Sequence, residues 1–445
     1  MNARVFLRTY GCTLNQADSD IIRGVLAKGG ARLVDDEEDA DVVVLNTCGV
    51  KSATENRIIE KMRALNARNK KIVVAGCIPS ANLALVERFA PRACVVGTGS
   101  VGRILDAVKA AREGRKVVFL DGKGVIEKAS LPKKREGVIA RIPIAEGCVG
   151  ACTFCQTRLA RGRLRSYDEE YLACEIERCV KNGFREIQLT AQDTGAYGLE
   201  RQGGGNLAGL VRRISDVEGA IFAKQKCAFA RSANCEFRVR VGMINPEHAR
   251  AMLPELISAF RSGKIYKFLH VPVQSGSDSV LYEMRRPYQV RDFRFVVSGF
   301  RRAFPEITLA TDVIVGYPTE SEEDFRASLE LISEIEPDIV NVSKFCPRPG
   351  TSASELKLLP NDVIKKRSGA MSALCRKIAL EKNRKLIGKE YAVLATEREK
   401  RGVRGRNNAY KQVVLRDERV ALGSFVNVKV AGATACCLIG ERVRA

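Results

Sequence analysis

In the first quarter of the chain, short apolar runs alternate with longer stretches whose apolar positions recur every three or four residues. RVFLRTY (4–10), ADVVVLNT (40–47), KIVVAG (71–76) and ACVVG (93–97) have the length and β-branched content of buried strands. Between and after them, LNQADSDIIRGVLAKGG (14–30), KSATENRIIEKMRALNARNK (51–70), ANLALVERFA (81–90) and VGRILDAVKAAREG (101–114) carry helical periodicity. Strands separated by helices imply right-handed crossovers and a parallel sheet, so residues 1–115 are expected to form a doubly wound α/β domain. The rhythm is lost over 113–137, where glycine and charge accumulate. Residues 116–137 read as a linker with one or two short strands, its PKKRE cluster in solvent.

A second alternation begins at VIARIPIAEG (138–147) and runs through REIQLTAQDTG (185–195), EFRVRVGMINP (236–246), YKFLHVPVQSG (266–276), TLATDVIVGYP (308–318) and DIVNVSKFCPRPG (338–350), with helical stretches between. Six βα units in succession imply a partial (β/α)6 barrel over 138–375, with its chemistry on the loops at the strands' C-terminal ends. From 376 the texture changes. The end of a long basic helix leads into EYAVLAT, GRNNAYKQVVL, SFVNVKVAG and TACCLIGERV, short strands with glycine turns that predict a small antiparallel β-barrel to 445. The whole is a multidomain α/β chain.

Charge adds a partner to this picture. Lys and Arg number 74 against 52 Asp and Glu, a formal net charge of +22, which points to a polyanion such as nucleic acid. The opening MNARVFLRTYGC has no apolar signal region, and no run of about twenty apolar residues would span a membrane. A cytoplasmic, reducing compartment is expected, where fifteen cysteines ligate metal or pack as thiols more readily than they pair.

Three of those cysteines define the chemistry. Cys148, Cys152 and Cys155 lie in GCVGACTFCQTRLARG (147–162) with the spacing C-x3-C-x2-C, on the loop after the first strand of the predicted barrel. Three thiolates this close can hold three corners of an iron–sulfur cube and leave one iron open to chelate another molecule. Structural zinc is the rival, but it closes four ligands and favours paired arms. A second set stands at strand ends: Cys12 after RVFLRTY, Cys48 after VVVLNT and Cys77 after IVVAG. The C-terminal edge of a parallel sheet is where ligands bind, so these sulfurs are expected to converge on a second open cluster. Unrelated core cysteines are the alternative, and Cys94, inside a strand, is read that way. Cys174, Cys179, Cys346 and Cys375 are read as structural thiols.

The string IPIAEGCVGACTFCQTRLARGRLRSY (142–167), with Phe154 before the last cysteine, resembles the cluster loop of radical S-adenosylmethionine enzymes. Within them it resembles the methylthiotransferases, in particular the archaeal and eukaryotic branch acting on N6-threonylcarbamoyladenosine in tRNA. TYGCTLNQADSD, NTCGV and AGCIP are similar to the family's three auxiliary-cluster segments, and LTAQDTGAYG, HVPVQSGSD, TDVIVGYPTE and PRPGTSA to its barrel loops. The resemblance implies two [4Fe-4S] clusters and two molecules of S-adenosylmethionine per turnover. One cluster, on Cys148, Cys152 and Cys155, serves reductive cleavage; the other, on Cys12, Cys48 and Cys77, carries the sulfur. It implies contacts to S-adenosylmethionine and substrate from Phe154, Gln192, Asp193, Gln274, Ser275, Gly316 and Pro318, with Gly316 admitting an adenine against the backbone. The implied reaction is methylthiolation of C2 of the modified adenosine beside the anticodon. Its partners are the tRNA anticodon stem-loop, a low-potential electron donor and a sulfur source.

The tail 397–411, EREKRGVRGRNNAYK, combines Arg401, Arg404, Arg406 and Lys411 with Tyr410, a set suited to phosphate and base contacts. A charged hairpin would look the same, and resemblance to the TRAM domain favours RNA. His270, between Leu and Val, is read as a core residue. The segment 219–236, with Cys227 and Cys235, departs from the family pattern as a basic excursion. Two other readings stand beside this one: methylthiolation of isopentenyladenosine in tRNA or of a ribosomal-protein aspartate, and a non-catalytic iron–sulfur RNA-binding protein.

Overall fold

The computed structural model describes residues 2–49, 52–122, 125–216 and 236–443. The expectations for 219–235, including Cys227 and Cys235, lie outside the described residues.

The N-terminal sheet contains β1 (Arg4–Thr9), β2 (Arg32–Val34), β3 (Val42–Thr47), β4 (Ile72–Gly76), β5 (Cys94–Gly97) and β6 (Val118–Phe119). Its order is β2-β1-β3-β4-β5-β6 and every pairing is parallel, as the alternation of strands and helices required. Successive residues of the central strands face opposite layers. Val42, Val44, Val73 and Ala75 pack with Ile21, Val25 and Val108 on one side, and Val43, Leu45 and Val74 with Ile58 and Met62 on the other. Burial on both faces explains why these strands read as unbroken apolar runs. The short edge strands β2 and β6 are the ones the pattern did not resolve individually.

Next come β7 (Ile139–Pro143), β8 (Ala145–Glu146), β9 (Arg165–Ser166), β10 (Glu186–Thr190), β11 (Arg238–Arg240), β12 (Phe268–His270), β13 (Thr308–Val315) and β14 (Ile339–Lys344). β8 and β9 form a small antiparallel hairpin that carries the cysteine loop between them. The other six form two parallel three-stranded sheets, β11-β10-β7 and β12-β13-β14, joined by a parallel bridge between Val239 and Ile265. This is the expected open barrel. The helical stretch after β11 is divided at Met252 into Pro246–Ala251 and Leu253–Phe260.

The last domain is a closed barrel of β15 (Glu390–Glu399), β16 (Gly402–Arg406), β17 (Gln412–Leu415), β18 (Phe425–Ala433) and β19 (Leu438–Arg442), in the order β15-β16-β17-β19-β18. It is not wholly antiparallel: β17 and β19 pair parallel to close it.

Two expectations are corrected here. Among the described residues of 116–137, the stretch around Lys128 and Arg135 is packed rather than solvated. Lys128 lies on a short helix (Val125–Ser130) with its ammonium buried, 2.7 Å from Asp18 and 2.8 Å from Glu146. The Lys134 N–H donates to the Asp20 carbonyl at 2.9 Å, and Arg135 reaches Glu175 at 2.7 Å. Lys128 and Arg135 thus tie this segment to buried carboxylates of both the N-terminal domain and the larger barrel, while the Lys133 ammonium bonds backbone carbonyls and Lys134 is exposed.

The second correction concerns the basic tail. The Tyr410 ring sits 4.8 Å from Tyr266 and 4.9 Å from Phe268, and its hydroxyl donates to Glu186 at 3.1 Å while accepting from Gln188 at 3.2 Å. Lys411 bridges Asp338 (2.7 Å) and Asn383 (2.9 Å). Arg406 stacks over Tyr410 and donates to Gln412, and Arg404 is paired with Glu397 and Glu399. Glu186 and Phe268 begin β10 and β12, so this loop plugs the end of the larger barrel opposite the cysteine loop. Arg404, Arg406, Tyr410 and Lys411 are engaged within the protein. Of the five residues expected to contact RNA, Arg401 is the one exposed on a turn.

Candidate active site

The cysteine loop leaves β8, crosses the barrel mouth and is pinned at Thr153. The Thr153 N–H donates to the Met284 carbonyl at 3.2 Å and its own carbonyl accepts from Ala353 at 2.9 Å. Its hydroxyl bonds Tyr317 at 2.8 Å and the Glu283 carbonyl at 3.1 Å. Phe154 packs beside Val280, Met284, Tyr317 and Phe345. Loops from three parts of the barrel therefore hold the two residues between Cys152 and Cys155.

Every sulfur of this trio receives an N–H from the chain. Gly150 donates to Cys148 at 3.3 Å, Thr157 to Cys155 at 3.3 Å, and the Arg286 guanidinium to Cys152 at 3.1 Å. The Cys148 and Cys152 sulfurs lie 3.4 and 3.6 Å from the point a Cβ on Gly150 would occupy. Burial pushes the Cys148 thiol up to about 11, with the charges of Asp193, Cys152 and Cys155 adding to it. As free thiols Cys148 and Cys155, both raised chiefly by burial, would be protonated at neutral pH, whereas donors aimed at sulfur favour thiolates, which a bound metal enforces. Three thiolates on a single zinc, at about 2.3 Å each, would stand roughly 4 Å apart. Among the described residues neither cysteine trio has all three sulfurs within 4.8 Å of one another, so neither is closed down for a single zinc. Three sulfurs on one loop, each receiving an N–H and with no fourth protein ligand in the spacing, suit an iron–sulfur cluster with one open iron.

The other trio forms at the C-terminal ends of β1, β3 and β4, as strand-end placement required. Its hub is Asn15, on the helix Thr13–Lys28 that starts after Cys12. The Asn15 Oδ1 accepts from the Cys12 and Cys77 thiols at 3.4 and 3.6 Å, and its Nδ2 donates to the carbonyl of Thr47, next to Cys48, at 2.7 Å. The Cys48 sulfur packs 2.9 Å from where a Cβ on Gly11 would be, so Gly11 (φ +107°) has no room for a side chain. Gly76 (φ +95°) meets Asn46 and Thr47 in the same way beside Cys77. These cradles bring Cys12, Cys48 and Cys77 together around one amide. Arg348 is buried on the Cys48 side and paired with Glu55, and Gln156 packs on Gly49 while donating to the Pro349 carbonyl at 2.8 Å. The two trios thus share a boundary.

The remaining expected site residues divide. Gln192 follows β10 and its buried Oε1 has no hydrogen-bond partner among the described residues. Asp193 is already engaged. Oδ1 accepts from the Gly195 and Asn245 N–H groups (2.9 and 3.2 Å) and Oδ2 from the Asn245 amide and His248 (2.7 Å each). Asn245 in turn accepts from Arg286, so Asp193 supports the Cys152 donor from behind. Gln274, at φ +69°, prolongs the pairing with β13 through its backbone. Ser275 is wholly buried, its hydroxyl bonded to Ser328 and accepting from the Ser277 N–H. Gly316 does not open space for an adenine: a Cβ there would fall 2.7 Å from Ile364 of the long helix, so the missing side chain admits that residue. Pro318 is half-buried beside it. His270 is satisfied by Asp312 at 3.1 Å, as expected of a core residue. Cys94 and Cys179 are buried thiols, but Cys174 is exposed rather than structural.

Sequence reasoning missed Asn15, Arg161, Asn245, His248 and Arg286. One signal was present: Asn15, Asp18, Ser19 and Asp20 are all buried on one helix, and polar residues on an inner helical face require partners.

This fold and these cysteines define the class. Residues 142–332 match the family model described as Radical SAM superfamily, and 4–97 match one described as Uncharacterized protein family UPF0004. The radical S-adenosylmethionine methyltransferase TsrM from Kitasatospora setae shares the fold at TM-score 0.56 and 15% identity, over 79% of this chain and 75% of that one. The probable threonylcarbamoyladenosine tRNA methylthiotransferase of Archaeoglobus fulgidus is 44% identical over 98% of both chains. The threonylcarbamoyladenosine tRNA methylthiotransferase of Drosophila melanogaster is 35% identical over 98% of this chain and 77% of that one. The chain belongs to the threonylcarbamoyladenosine tRNA methylthiotransferase family.

Proposed function

We propose that this chain inserts a methylthio group at C2 of N6-threonylcarbamoyladenosine next to the tRNA anticodon, using two [4Fe-4S] clusters and S-adenosylmethionine. The observation that carries the reading is the meeting of two three-cysteine sites. One lies at a barrel mouth and the other at the edge of a parallel sheet, and they are joined through Asn15 and Arg161.

Cys148, Cys152 and Cys155 would hold one cluster and Cys12, Cys48 and Cys77 the other. When bound, these groups supply the electron that cleaves S-adenosylmethionine and the site that carries sulfur, chemistry no side chain offers. The chain's own part is placement. Thr153 and Phe154 fix the loop over the barrel mouth, and the Gly150, Thr157 and Arg286 donors stabilise the thiolates. Gln192 offers an unpaired amide oxygen to an amino or hydroxyl group of the cofactor. The Asp193–Asn245–Arg286 chain holds the Cys152 donor in orientation. The net charge of +22 favours a tRNA partner, so affinity should fall as salt rises. A low-potential electron donor and a sulfur source complete the reaction. Among the described residues no helix is long and apolar enough to cross a membrane.

The test is anaerobic reconstitution followed by incubation with S-adenosylmethionine, reductant and threonylcarbamoyl-tRNA. Iron should reach about eight per chain for two cubes, and nucleoside mass spectrometry should show the methylthio gain. Gain on isopentenyladenosine-tRNA alone would transfer the assignment to the sister substrate, and about four irons per chain would remove the auxiliary site.

A further inference from the structure

The two cysteine sites meet at one side chain that neither set of ligands includes. Arg161 ends the short helix Thr157–Arg161 directly after the cysteine loop, and its side chain is 2% exposed. Two of its guanidinium contacts point into the other domain: Nη2 lies 3.2 Å from Asn15 Oδ1 and 2.7 Å from Asp18 Oδ2. Nη1 reaches back to Glu146, at the root of its own loop, at 3.2 Å. The Asn15 oxygen that it contacts is the one shared by the Cys12 and Cys77 thiols. A single planar group therefore links the hub of the sheet-edge trio to both ends of the barrel-mouth loop.

The surroundings make this contact unusually determinate. Asp18, Glu146, Lys128 and Arg161 are all buried and alternate in sign around a closed circuit, Asp18–Arg161–Glu146–Lys128. Two acids and two bases balance, so no net charge is buried. A buried ionic set of this kind contributes little net stability, because desolvation offsets the attraction, but it tolerates one arrangement of its members. Lysine could not replace Arg161 equivalently, since a point charge cannot engage Asn15, Asp18 and Glu146 in fixed directions.

We propose that Arg161 is a positioning residue that holds the Cys12–Cys48–Cys77 site in register with the Cys148–Cys152–Cys155 loop, so that sulfur delivery stays coupled to radical formation. The activity readout rests on the methylthio-transfer reading above; the structural readouts do not.

Three variants decide it: Arg161→Gln, Arg161→Lys and the double variant Asp18→Asn/Arg161→Gln. The double variant removes the carboxylate that the single Gln variant strands without its partner. Hydrogen exchange is measured on the metal-free chain, and iron per chain after anaerobic reconstitution. On the loaded enzyme the ratio of methylthio-nucleoside to 5′-deoxyadenosine is taken. Arg161→Gln should raise exchange in 13–20 and 157–162 together, while iron stays at the wild-type level. The product ratio should fall about 10–100-fold, as for loss of an outer-shell partner. Arg161→Lys should fall between, and the double variant should regain thermal stability without regaining the ratio. Recovery of the ratio in the double variant would show that only the stranded Asp18 mattered and would overturn the proposal. So would increased exchange confined to one of the two segments. A wild-type chain that makes 5′-deoxyadenosine but no methylthio product would instead defeat the functional reading, leaving the exchange result to judge Arg161 alone.

Discussion

Arg286 donates to the Cys152 sulfur at 3.1 Å and, through its other terminal nitrogen, to Asn245, whose amide is anchored on Asp193 at 2.7 Å. A cation on a ligand sulfur offsets thiolate charge, and hydrogen bonds to sulfur set the reduction potential of a cluster. Arg286→Gln is expected to weaken iron retention by the loop about 10–100-fold and to shift its potential to more negative values. The measurement uses a background with Cys12, Cys48 and Cys77 changed to Ala, so that one cluster remains. Unchanged iron retention and potential would show that the contact is incidental.

Lys128 carries a second prediction. Its ammonium touches Asp18 and Glu146 with 1% of the side chain exposed. Lys128→Met leaves Asp18 with Arg161, and Glu146 with Arg161 and the Tyr167 hydroxyl, and breaking a buried pair costs about 3–5 kcal/mol. The lower end is expected because Arg161 remains. Asp18 is held below the usual carboxylate range: burial opposes this, but Arg161 and Lys128 outweigh it. Its contribution is therefore present above its unfolded pKa and is lost as pH falls through its folded value. The wild-type advantage over Lys128→Met in urea should shrink steadily on acidification; a constant difference would exclude the linkage.

Asp20 behaves in the opposite sense. Burial raises it to about 6 against the pull of Arg135, Arg141 and Arg23, and its Oδ2 has no hydrogen-bond partner among the described residues. The folded chain holds this proton more tightly than the unfolded one, so stability falls as pH rises from the unfolded pKa through about 6. Asp20→Asn should stabilise the metal-free chain by about 1–3 kcal/mol at neutral pH and not at all below about pH 4. Urea midpoints at the two pH values give the answer, and a loss of stability at neutral pH would contradict it.

These pairs show where the sequence stops being readable. The strands of the N-terminal sheet were legible because burial on both faces makes them continuous apolar runs, and the six cysteines because strand ends and a three-thiol spacing carry their own chemistry. Charge was misleading. Lys128 and Arg135 look like solvent-facing residues until Asp18, Glu146 and Glu175 are brought beside them by folding. Tyr410 among arginines has the composition of an RNA contact, yet Glu186 and Gln188, distant in sequence, claim its hydroxyl. Local composition reports what a side chain can bind; which partner it meets is decided by long-range packing.

Gly316 gives the fourth prediction. At φ +78° and with Ile364 filling the space of a side chain, Gly316→Ala meets both backbone strain and a clash. A loss of about 1–3 kcal/mol is expected. Ile364→Ala added to it should recover the packing part and leave the strain. If the double variant is no more stable than the sum of the single losses, the glycine is not there for Ile364, and a role beside the cofactor is restored.

The docking of the small barrel is testable at Tyr410. Its ring is enclosed by Tyr266 and Phe268, and its hydroxyl joins Glu186 and Gln188. Tyr410→Phe removes the hydroxyl and should cost about 1–2 kcal/mol, because the buried Glu186 loses one donor while Gln188 and Tyr266 remain. Tyr410→Ala removes the anchor as well and should release the barrel from β10 and β12, read as an increased radius of gyration and as new protease cleavage near 385–390. Were Tyr410 instead a base-stacking residue, Tyr410→Ala would weaken tRNA binding with no change in shape or cleavage. Expected here is the reverse order of effects: shape and cleavage change in the free protein, and the slope of log affinity against log salt stays as it was, because that slope counts phosphate contacts that a tyrosine does not make.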